Sequence, residues 1–176
     1  FMQKLESEPR MEFEALHRGF IGLREFKPED AERLQRLTEG RLGWPFADAC
    51  LRCLQQTGWI NFRMRAMLVA VASYHLWLDW RLTAPVFARW FTDFEAGIHF
   101  SQMQMQAGTT GINANRIYSP LKQSEDQDPD GKFIRLWLPE LSQVPTEWIH
   151  APWRMPLNLQ QRYACIIGKD YPEAIA

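Results

Sequence analysis

No apolar run in this sequence approaches the roughly 18 residues that a membrane-spanning helix requires, and its first residues, FMQKLESEPR, lack the apolar centre of an export signal. A soluble chain that is not exported is the expectation. Cysteine is scarce too: Cys50, Cys53 and Cys165 are too few, and odd in number, for a disulfide framework. That usage favours a reducing compartment and points to the cytoplasm. Cys50 and Cys53 stand at Cys-x-x-Cys spacing, but no second pair or nearby histidine completes a metal site, and the flanking ADACLRCLQQ reads as helix. No metal is expected. An excess of one charge is also missing: 20 basic and 21 acidic residues leave a formal net charge of −1, so no global field draws the chain to nucleic acid or to an acidic membrane. Glycine-rich phosphate loops, nucleophile elbows and helical His/carboxylate clusters are absent, which excludes the chemistries those devices serve.

What the sequence does have is aromatic mass, with eight Trp and eleven Phe among 176 residues. That is enough for one domain with a large, stiff core. The periodicity is helical throughout. Pro28, Glu29 and Asp30 open a helix over AERLQRLTEG that Gly40 closes. Phe46 to Gln56 is amphipathic and ends at Thr57 and Gly58. Trp59 to Leu78 is apolar on nearly every side, as a helix through the middle of a domain would be. A helix over LTAPVFARWFTDF would take Pro85 in its first turn. AGIHFSQMQMQAG alternates like a strand, yet its Met and Gln favour helix, and on that helix His99, Gln102, Met103 and Gln106 share one face. TTGINAN is a loop, RIYSPLKQ a short helix or turn, SEDQDPDG a charged loop, and KFIRLWLPEL helical up to Pro139. Prolines 145, 152, 156 and 172 make the C-terminal segment a surface wrap. With no convincing strand pair, the fold class is all-α.

The chemistry concentrates where the central helix carries Arg63 and Arg65, because a guanidinium inside an apolar interior is costly unless acidic groups or a ligand meet it. Asp93 and Glu95 are the first acids after Asp79 and the obvious partners. TGWINFRMRAM, then DWR at Asp79 to Arg81, then FTDFE at Phe91 to Glu95, resembles the FAD-binding core of photolyases and cryptochromes. GRLGWPFADACLRCLQQTGW upstream, and DPDGKFIRLWLPEL and HAPWRMP downstream, resemble the same family in order and spacing, from about Glu39 to Pro156.

This resemblance implies a multi-helical FAD-binding domain in a blue-light-responsive flavoprotein, with light-driven electron transfer from or to FAD. It places Arg65 beside the flavin ring, paired with Asp93, and Glu95 where an acid accepts a hydrogen bond from the ring, a position the family usually gives to aspartate. A fixed guanidinium there favours the anionic reduced flavin. His99 falls at the position facing the reactive ring nitrogen, where repair enzymes usually carry asparagine; a histidine there could exchange a proton near neutral pH. Trp80 matches the middle member of the family's electron relay, whereas the ring-side member maps onto Met103 and no distal one can be placed near Phe26. Trp77, Trp90 and Tyr74 are candidates for a reroute, although aromatics at helical spacing are more often core.

The lesion-side asparagine of repair enzymes maps to Phe62, the methionine after the ring-side arginine to Ala66 and a pocket tryptophan to Met105. Standard dimer repair, which needs a lined hole for a flipped base, is therefore the alternative reading rather than the first. Arg63, Arg116, Lys122 and Arg135 are candidates for phosphate contacts in damaged DNA, with a solvated surface as their ordinary role. A signalling partner is the other expectation, and a cofactor-free helical interaction module the third reading. The family's α/β antenna domain and upstream helices do not precede Phe1, so an incomplete domain is expected that binds FAD weakly or not at all by itself. The antenna pigment is unassigned.

Overall fold

The computed structural model describes residues 2–112 and 117–175. Ten α-helices are found there: α1 (Met2–Ser7), α2 (Asp30–Glu39), α3 (Pro45–Thr57), α4 (Phe62–Ala70), α5 (Trp80–Trp90), α6 (Ala96–Ala107), α7 (Pro120–Gln127), α8 (Lys132–Trp137), α9 (Thr146–Ile149) and α10 (Leu157–Arg162). No strand is formed among the described residues, which carry one isolated bridge between Ile167 and Tyr171. None of these helices is long and apolar enough to cross a membrane. Arg116, and with it the end of the TTGINAN loop, lies outside the described residues.

Helix α3 is the hub, packed against α2, α4, α7 and α8, while α6 packs on α4, α5 and α1. Start and stop signals explain the boundaries. α3 begins with Pro45 in its first turn and stops where Gly58 turns left-handed at φ 72°, a conformation that costs other residues a Cβ clash. α6 starts at Glu95 and stops at Gly108, also left-handed.

Four expectations need correction. The long apolar stretch is not one helix from Trp59 to Leu78. Asn61 interrupts it as an N-cap, its side chain accepting from the Met64 N–H at 3.1 Å, and α4 then widens into a single π turn over Val71–His75. Trp77 follows with φ 56°, left-handed although it is not glycine. From Met64 to Ser73 nearly every residue is buried, as a central helix requires, but Trp59 and Phe62 are 57% and 62% exposed.

Helix α5 starts at Trp80 rather than Leu82, because the Asp79 carboxylate caps it by accepting from the Arg81 N–H at 2.8 Å. Pro85 therefore lies inside the helix and not in its first turn.

The first half of the charged stretch expected as a loop, Ser124 to Gln127, belongs to α7, which is capped by Ser119 with Pro120 in the first turn. Its acids face solvent, and Asp128 at its end accepts from the N–H groups of Phe133 and Ile134 to open α8.

The C-terminal segment does more than wrap a surface, since Ile149, Met155, Cys165 and Tyr171 are all buried. The Tyr171 hydroxyl donates to Asp48 at 2.5 Å.

Candidate functional site

Helices α4 and α6 and the loop before α6 enclose a cleft lined mainly by apolar atoms, with about 540 Å³ of empty space that includes its open mouth. Arg65, Asp93, Glu95, His99 and Met103 all line it, together with Phe62, Ala66, Gln102 and Gln106. The five residues placed at the flavin by sequence are thus brought to one wall.

Arg65 is fixed from three sides. Its Nε donates to the Ile60 carbonyl at 2.7 Å, its Nη1 and Nη2 donate to the two oxygens of Asp93 at 2.9 Å each, and its guanidinium lies 4.4 Å from the centroid of the Phe91 ring. Asp93 is half-exposed, and its hydrogen bonds from Arg65 hold its carboxyl below the usual carboxylate range. The loop carrying Asp93 is pinned to the end of α3, where the Thr92 N–H and hydroxyl both donate to the Gly58 carbonyl, at 3.0 and 3.2 Å. A Cβ on Gly58 would come within 2.3 Å of the Thr92 methyl, so the glycine needed to stop α3 also lets the acidic loop approach.

Glu95 has a role that its sequence position did not announce. Its two oxygens accept from the backbone N–H groups of Gly97, at 3.1 Å, and Ile98, at 2.7 Å, so it is the N-cap of α6. Each carboxylate oxygen retains a second lone pair, and the residue still lines the cleft.

His99 is buried, with Phe91, Phe94 and Phe100 packed edge-on around it. Its Nε2 is 2.9 Å from the Ala84 carbonyl. A carbonyl only accepts, so the proton is on Nε2 and the neutral ring keeps Nδ1 as a free acceptor. Burial pushes its pKa down, more than the bond to Ala84 pushes it up. Burial thus favours the neutral ring, in which Nδ1 can accept.

Met103 is buried on the same face, one turn on. Trp80 does not line the cleft: it is 3% exposed and lines two other cavities, beside Arg81. Its connection to the cleft runs along α5, since Ala84, whose carbonyl holds His99, is one turn (roughly 6 Å) further on. Trp77 is partly exposed under the Arg24 guanidinium, 4.6 Å from its ring centroid, a cation that disfavours positive charge on that indole.

Of the proposed phosphate ligands, Arg135 is committed to the Asp130 and Val144 carbonyls at 2.6 and 2.7 Å. Lys122 is exposed and 3.9 Å from Asp126, and Arg63 is exposed. None of the three lines the cleft. Phe62 and Ala66 do, whereas Met105 does not.

A flat ring system with a polar edge fits this wall. Apolar side chains supply its faces, and an unspent amide is present as well: the Gln102 Oε1 is buried without a partner.

Comparison with known proteins agrees with the geometry. The family model described as the FAD binding domain of DNA photolyase matches residues 1–176. The chain is 34% identical over 145 residues to a deoxyribodipyrimidine photo-lyase of Alkalihalophilus pseudofirmus, covering 81% of this chain and 30% of that protein. It is 34% identical over 150 residues to cryptochrome-2 of Arabidopsis thaliana, covering 83% and 24%. Among solved structures, a class III photolyase from Agrobacterium tumefaciens superposes with a TM-score of 0.88 at 28% identity, covering 98% of this chain and 36% of that one. The chain thus spans about a third or less of the length of these relatives.

Proposed function

Because this chain belongs to the FAD-binding domain family of DNA photolyases and cryptochromes, we propose that the cleft between α4 and α6 holds the isoalloxazine end of FAD and serves light-driven electron transfer from or to it. The observation that carries this reading is the convergence on one apolar cleft of the Arg65–Asp93 pair, Glu95, His99 and Met103. The cofactor, when bound, supplies the light absorption and the redox chemistry. The chain supplies position and field: Arg65, already locked by Asp93, Ile60 and Phe91, favours negative charge beside it without reorganising. His99 offers Nδ1 as an acceptor, and Met103 closes the apolar wall where the relay tryptophan of relatives maps. Trp80, behind that wall on α5, is the residue we assign to electron supply.

Phe62, Phe94 and Ile98 leave an exposed apolar lip on the cleft, so this wall alone is expected to hold FAD weakly. Three free thiols fit a reducing cytoplasm. The altered residues Phe62 and Ala66 on the cleft support photoreception ahead of standard dimer repair, with a signalling partner rather than damaged DNA as the ligand of the whole protein.

The test is a titration of FAD up to millimolar concentration, followed by spectra before and after blue light with a reductant. Binding that weakens roughly tenfold in Arg65→Ala, with light-dependent bleaching of the flavin band, is expected. No binding overturns the reading. Added dimer-containing DNA separates the two activities, since loss of dimers in light identifies repair and photoreduction without it a photoreceptor.

A further inference from the structure

Two amides on the cleft wall, Gln102 and Gln106, are not used by the flavin contacts above. Gln102 stands on α6 between His99 and Gln106, half-buried and on the cleft. Its Oε1 is buried and has no hydrogen-bond partner, and its amide makes no side-chain hydrogen bond among the described residues. Buried amide oxygens in folded proteins are overwhelmingly paired. An unpaired one is destabilising relative to an apolar side chain of the same shape. Gln106, a turn further along, is half-buried as well, but only the Gln102 oxygen is both enclosed and unpaired.

The other neighbours leave no alternative partner. Met103 is apolar, and the His99 Nε2 proton is committed to Ala84. Ser101 points away, its hydroxyl donating to the carbonyls of Gly97 and Ile98.

We propose that Gln102 is a cofactor-positioning residue whose amide is completed only by FAD, its unpaired Oε1 accepting a hydrogen bond from an N–H of the bound ring. This rests on the flavin reading of the cleft. It adds to Arg65, Asp93, Glu95 and His99 a neutral amide that reads the ring's hydrogen-bonding edge without adding charge to an apolar wall.

The inference has a signature that a structural role cannot produce. Gln102→Met keeps length and flexibility but removes the orphaned amide. Without FAD the variant should unfold at the same temperature as the wild-type protein or a higher one. With FAD its dissociation constant should rise roughly tenfold, the equivalent of about 1.4 kcal/mol, and the visible flavin band should shift as a hydrogen bond to the ring is lost. Gln102→Glu, which keeps the acceptor, should retain more affinity than Gln102→Met.

An unchanged dissociation constant and band position in Gln102→Met would overturn the proposal while leaving the flavin site intact. A fall in both thermal stability and affinity would make Gln102 a structural residue and overturn it too. Absence of FAD binding by the wild-type protein removes the flavin reading itself, and this inference with it.

Discussion

At the scale of single residues, the most demanding group in the molecule is Asp48. It is fully buried and accepts from the N–H groups of Leu42 at 2.7 Å and Gly43 at 3.0 Å, and from the Tyr171 hydroxyl. Burial pushes its pKa up to about 6, against those three donors. In the unfolded chain it ionises near the ordinary aspartate value of 3.8, so between about pH 4 and 6 the unfolded state loses its proton first. The native state is then disfavoured progressively as pH rises through that window. Asp48→Asn, which cannot titrate, should flatten the stability profile there in denaturant melts at stepped pH; an unchanged profile would contradict the assignment. Tyr171→Phe should cost about 1–3 kcal/mol by leaving a buried oxygen short of a donor. Nothing local in the sequence announces this pair, because the partners are 123 residues apart. Arg65 and Asp93, by contrast, were legible: a guanidinium on an apolar helix demands an acid, and Asp93 was among the first candidates downstream.

At the scale of elements, helices whose ends carry glycine or proline were read well and those whose ends are set by side-chain caps were not. α2, α3 and α6 stop at Gly40, Gly58 and Gly108 and fall close to their expected limits. α4 was drawn too long because Asn61 looked like one polar residue within an apolar run rather than a cap, and α7 was expected as a short helix or turn only as far as Gln123, because the acids that face solvent on its second half resemble a loop in composition. Glu95 shows the same limit within the site, since the resemblance implied a place at the flavin but nothing in the sequence announced that its carboxylate holds the first turn of α6. This dual use separates two substitutions. Glu95→Ala removes both cap bonds and should destabilise the FAD-free protein by about 1 kcal/mol, while Glu95→Gln, with one acceptor oxygen left, should cost less. Thermal melts without FAD that rank the two variants equally would show that the cap contributes nothing, leaving Glu95 only its place at the cofactor.

At the scale of the whole molecule, the end of the chain returns to the start of α3 and is built into the fold. Tyr171 is buried against Asp48, the Ile175 N–H donates to the Leu42 carbonyl at 2.9 Å, and Arg36 donates to the Glu173 carbonyl at 2.5 Å. Gly43 is required at this meeting, since with φ 83° a Cβ there would lie 2.4 Å from the Glu173 carbonyl oxygen. The four prolines made this segment look like a surface strap because proline spacing reports that helices end, not whether the residues between are covered. Among the described residues none beyond Gln106 lines the cleft, so the strap and the cleft should separate experimentally. Deleting residues 171 to 176 removes a fully buried aromatic side chain, a loss of about 3–5 kcal/mol by analogy with large-to-small core substitutions, and exposes the Asp48 carboxylate to water. The melting temperature should fall steeply, and the pH dependence assigned to Asp48 should vanish because its carboxyl is then solvated. FAD affinity measured well below the new melting temperature should stay within about twofold, as expected for sites that share no residues. A tenfold loss of affinity in that truncated protein would instead couple the strap to the cleft through α3 and α4, which pack directly on each other, and would make the chain end part of the cofactor site's support.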